Sequence, residues 1–118
     1  MISFSVLEAK NEILEEGIVY TFRWKRRSFF AKEKGSMEHT WATDKRGGKK
    51  LFDVTIEEVG EINPFPTVLE KYTPQSGFGG PWLWYDQILQ MQPPVFQITG
   101  WLYKVSRTSK ELRKDKNE

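Results

Sequence analysis

Residues 7–25 read LEAKNEILEEGIVYTFRWK, and the apolar pattern changes period in the middle of them. Up to Glu16, the residues Leu7, Ala9, Ile13 and Leu14 fall near one side of a helix. From Ile18 the side chains alternate: Ile18, Tyr20, Phe22 and Trp24 point one way, and Val19, Thr21, Arg23 and Lys25 the other. Gly17 stands at the switch, where a left-handed backbone suits a helix C-terminal cap. A helix that stops and hands over to a strand predicts an α+β domain, and the second face of that strand reads as polar and basic.

Upstream, Ile2, Phe4 and Val6 alternate with Ser3 and Ser5, predicting a strand over 2–6. Downstream, residues 33–50 carry Gly35, Gly47 and Gly48 and almost no aliphatic side chain, which predicts a long loop or hairpin tip. The stretch KLFDVTIEEVGEI at 50–62 predicts a strand that buries Leu51, Val54, Ile56, Val59 and Ile62, with a parity change after Ile56 that calls for a β-bulge. Pro64 and Pro66 open a short helical turn through Leu69 and Tyr72, and Pro74, Gly77, Gly79 and Gly80 make a loop. Pro81 suits the first position of a helix to about Met91, with Trp84, Ile88 and Leu89 toward the core and Pro93 and Pro94 ending it. The last strand, 95–105, has Phe96, Ile98 and Leu102 on one side and Trp101, Tyr103 and Val105 on the other, the mark of a central strand. The strands at 2–6, 18–25, 50–62 and 95–105 then form one barrel-like sheet that buries Phe4 and Phe96.

With 118 residues the chain reads as one domain over 1–108, followed by a charged, fraying tail at 109–118. Aromatic residues make up 14%, including five Trp, so a core is available and global disorder is excluded. The absence of cysteine excludes a disulfide scaffold and a Cys nucleophile, and reads as an intracellular, cytoplasmic protein. No apolar run reaches the roughly 20 residues needed to span a bilayer, so no membrane partner is expected. His39, the single histidine, has only Glu38 and Asp44 nearby, too few ligands for a zinc site, and no cofactor motif is present.

Charge is unevenly spread. The net charge of the whole chain is only +2, yet residues 23–50 carry ten basic side chains against three acidic ones, and 51–101 carry one against six. Within the basic block Trp24, Phe29, Phe30 and Trp41 interleave with the cations, a nucleic-acid-binding composition.

A strand, a helix ending EEG, a strand bearing Thr21 and Arg23, the strand DVTIEEVGEI, then SGF before a Trp-bearing helix and a closing strand: this order resembles an ASCH domain of the PUA-like superfamily over most of residues 2–105. The resemblance implies a small, partly open β-barrel with flanking helices and RNA or modified-base recognition in a cleft beside it. Some small ASCH proteins resemble nucleoside amidohydrolases that use a Lys, a Thr and a Glu. By that likeness Thr21 takes the place of the hydroxyl and Glu58 or Glu61 that of the acid, only one of which, if either, should face the cleft. GIVYTFR departs from the family's stretch, because Ile18 or Val19 occupies the position of the Lys. Lys25 shares a face with Thr21 but lies roughly 13 Å along an extended strand.

Binding without catalysis is therefore the preferred reading. The expected ligand is RNA or a nucleotide, held in one basic, aromatic cleft by Arg23, Lys25, Trp41, Lys45, Arg46, Lys49, Lys50 and Trp82. The alternatives are a small amidohydrolase acting on a modified nucleoside, and a protein-interaction module built on the excess Trp.

Overall fold

The computed structural model describes residues 1–32, 35–91, 93 and 97–108. In chain order the elements are β1 (Ile2–Ser3), α1 (Leu7–Glu16), β2 (Ile18–Arg23), α2 (Ser28–Ala31), β3 (Glu38–Thr43), β4 (Lys50–Ile62), α3 (Pro66–Leu69), a 3₁₀ turn (Thr73–Gln75), α4 (Pro81–Gln90) and β5 (Gly100–Arg107). The strands form one five-stranded sheet in the order β1-β3-β4-β5-β2, curled into a half-barrel. It is mixed, since β1 runs parallel to β3 and every other pairing is antiparallel.

The change of period at Gly17 is a real boundary. Gly17 sits at φ 80° and its N–H returns to the Ile13 carbonyl at 3.0 Å, closing α1 as β2 begins. Of the helix residues expected inward, Ala9 and Ile13 are buried, while Leu7 and Leu14 remain exposed.

Cross-strand register explains why the concave face is a core. Ala42 lies opposite Phe52, Ile56 opposite Val105, and Val105 opposite Val19, and all of these side chains are buried with Ile2, Phe4, Ile13, Phe30 and Tyr103. The convex face is covered over β2 and β5 only, where Phe22 and Leu102 pack with Leu69, Trp84 and Ile88 of the helices. β2 is thus buried on both faces. Its Val19–Thr21–Arg23 side, expected to be a polar outer surface, looks into the half-barrel, because tertiary packing outweighs the local pattern.

The expected bulge is present: the β4–β5 register shifts between Glu58 and Gly60. That shift leaves Val59 exposed, and a second shift beside Thr43 leaves Leu51 exposed, so Phe52 takes the buried place expected of Leu51. Residues 33–50 are not a single loop, since β3 runs through them. EHTWAT has one aliphatic side chain, Ala42, and is held as a strand by its pairing with β4. The first strand is shorter than expected. Phe4 lies beyond β1 yet stays buried, with its N–H on the Thr43 carbonyl at 2.8 Å. β2 ends at Arg23 rather than at residue 25, and β5 begins at Gly100, with Leu89 and Ile98 exposed. The expectations for Pro94, Val95, Phe96, Leu112 and the tail 109–118 fall outside the described residues.

Candidate functional site

β1 and β2 are the two ends of the sheet and do not pair with each other, so the half-barrel has an open seam between them. A cleft of about 60 Å³ lies in that seam. Its walls include Ser3 of β1, Thr21 and Arg23 of β2, Ser76 of the loop before α4, and Trp84 and Gln87 of α4. A hollow of that volume, well below the roughly 300–1,000 Å³ usual for whole small-molecule ligands, suits one compact group.

Arg23 dominates the chemistry of this cleft. One terminal nitrogen donates to the Ser3 carbonyl at 3.0 Å. The residue keeps some exposure, but its Nε is wholly buried and donates to nothing. Among the described residues no carboxylate pairs with it; burial first, and the Arg27 cation second, push its pKa down to about 10, so it remains charged at neutral pH. A buried cation whose donor lacks an acceptor is costly for folding, and an anionic ligand would repay that cost.

The loop opposite is fixed by short contacts. Ser76 Oγ donates to the Thr73 carbonyl at 2.7 Å and accepts the Phe78 N–H at 3.1 Å. Gly77 adopts φ +89°, and a Cβ there would collide with the Glu8 carbonyl of α1.

The two acids follow a different course from the one expected. The bulge places Glu58 opposite Tyr103 and Glu61 opposite Trp101, so both share one sheet face, yet neither lines the cleft. Glu58 accepts from Arg26 at 2.9 and 2.7 Å and from the Tyr103 hydroxyl at 3.2 Å. Glu61 is exposed on the rim and accepts from Thr99 Oγ1 at 2.8 Å. Thr21, only 9% exposed, lies beside Tyr103, which separates it from Glu58 by a whole strand. No hydrogen bond joins Thr21 to either acid, so its hydroxyl has no base to activate it.

The basic residues expected in one cleft are distributed over the molecule. Arg23 lines the seam, and Lys25 is exposed just beyond β2. Trp41, 45% exposed, lines a separate, open groove of about 620 Å³ with His39, Asp53, Thr55, Arg107 and Thr108. Lys45, Arg46 and Lys49 are exposed on the β3–β4 turn, and Lys50 pairs with Asp53 at 2.7 Å. Trp82, 64% exposed on α4, meets the Tyr85 ring edge-on and lies outside both hollows.

Sequence reasoning passed over Ser3, Ser76 and Gln87. The available signal was a polar residue at a core-facing position, since Gln87 shares a helical face with Trp84 and Ile88. It also missed Tyr103 as a hub: its hydroxyl receives the Arg27 N–H at 2.8 Å and donates to Glu58, bridging residues distant in the chain. Among the described residues no group of three metal-ligating side chains forms, and no helix is long and apolar enough to cross a membrane. No protein-family model, curated protein or solved structure matches this chain.

Proposed function

We propose that the protein binds a nucleotide-type ligand, with a phosphate group of that ligand seated in the seam against Arg23. The observation that carries this reading is the buried, unpartnered Arg23 Nε beside a cleft of head-group size. A phosphate offers the acceptor oxygens the guanidinium lacks, and Arg binds such groups through paired, charge-assisted hydrogen bonds. The remainder of the ligand would lie at the cleft mouth, where Tyr20 and Phe78 offer aromatic surface.

Titration calorimetry with nucleoside monophosphates, and with inorganic phosphate alone, tests this on wild type and Arg23→Met. Binding is expected in the wild type and lost in the variant. The variant should keep its stability or gain about 1 kcal/mol, because it removes a buried charge. A variant that binds as wild type does would overturn the reading.

Exposed Phe65, Trp82 and Leu83 favour a second reading, a protein-interaction surface. Sedimentation at rising protein and salt concentration tests it, since an apolar contact should persist at high salt.

A further inference from the structure

The helices that cover the convex side of the sheet do so over β2 and β5, and leave the other half bare. On that bare half the outward residues of β3 and β4 are His39, Trp41, Asp53, Thr55 and Glu57, alternating with buried Ala42, Phe52, Val54 and Ile56. The open groove of about 620 Å³ lies here, away from the seam. Trp41 lines this groove amid mainly polar neighbours, and Val54, the aliphatic residue of its wall, is buried.

Most other cations of the basic block already have a structural task. Arg26 pairs with Glu58, Arg27 with Glu38 and Lys50 with Asp53, while Arg23 is buried. Lys45, Arg46 and Lys49 differ: all three are exposed on the turn that follows Trp41, and none meets a carboxylate among the described residues. The acid lining the groove, Asp53, already holds Lys50 at 2.7 Å, and Arg107, also in the wall, has its guanidinium over the buried Phe52 ring at 4.6 Å. The groove therefore presents an exposed aromatic, and the turn that follows Trp41 in the chain carries three exposed cations that meet no carboxylate among the described residues.

We infer that this groove is a second binding site, for single-stranded nucleic acid, with a base stacked on Trp41 and backbone phosphates held by Lys45, Arg46 and Lys49. A base has a π-face that any exposed Trp can stack, and the strand's regular charge suits cations spaced along a turn. A sheet face without a covering helix gives an extended strand the room that the seam denies it. The inference stands apart from the nucleotide site, and its failure is read separately.

Fluorescence anisotropy with a short labelled oligouridylate and the matching oligothymidylate is the test, run over a series of salt concentrations. Trp41→Ala should weaken binding roughly 5- to 150-fold, the range of one base stack. The Lys45→Gln, Arg46→Gln, Lys49→Gln triple variant should flatten the salt dependence by about two units of slope, for three phosphate contacts on a single strand. Lys71→Gln, an exposed cation elsewhere, should leave the slope unchanged. Saturating nucleoside monophosphate should not displace the strand. Four results would each overturn the inference: no binding by wild type at low salt, wild-type affinity in both the Trp41 and the triple variants, displacement by the monophosphate, or equal binding of a duplex or an acidic peptide.

Discussion

The seam and the convex groove use positive charge in opposite ways. Arg23 in the seam is a single cation in a cleft of about 60 Å³, cut off from water at Nε. The groove is roughly ten times larger and open, and the cations Lys45, Arg46 and Lys49 on the turn after Trp41 are exposed and keep their hydration. Burial strengthens an interaction and shields it from salt, but charges the fold for a desolvated ion. Exposure costs the fold nothing and gives long-range attraction that salt removes. The seam should therefore be selective, salt-resistant and sensitive to packing, and the groove tolerant and salt-sensitive.

The sharpest way to break this contrast is through Gly77. Gly77→Ala forces a Cβ into the Glu8 carbonyl at a backbone angle that disfavours side chains, and should cost about 3 kcal/mol in denaturant unfolding, from left-handed strain and overpacking together. Monophosphate binding in the seam should fall with it. A neutral outcome would mean that the loop before α4 adapts freely and that the seam is not the rigid site described.

An alkaline titration of stability tests the packing around the seam without a substitution. Burial, together with the negative Glu58, raises the Tyr103 pKa to about 12 from its usual 10, against the lowering effect of the Arg27 N–H. The unfolded chain then loses this proton first, so stability present below pH 10 should drain away as pH rises toward about 12. Tyr103→Phe should remove that part of the slope in thermal melts, and an unchanged slope would assign it to other groups.

The smallest effect belongs to the groove. Neutralising Lys45, Arg46 and Lys49 together should change folding stability by less than about 0.5 kcal/mol per site, as for surface positions generally. A larger loss in urea unfolding would show that the turn is structural and would remove the basis of the contrast.

The elements legible in the sequence are those whose signal is local. α1 and its Gly17 cap, the Pro81 start of α4, the long strand β4 and its bulge follow from periodicity, from the conformations open to Gly and Pro, and from a parity change within a few residues. The concentration of positive charge in residues 23–50 is likewise a property of the string. β3 was hidden because EHTWAT has too few apolar residues to show alternation and becomes a strand through its partner. The fate of each cation was decided by tertiary structure alone. Arg26 finds its carboxylate 32 positions away, Arg27 finds one 11 positions away, Arg23 finds none among the described residues, and Lys45, Arg46 and Lys49 stay in solvent. A side chain's type and spacing set what it can bind, but whether it is paired, buried or free depends on groups that only the folded chain brings within reach.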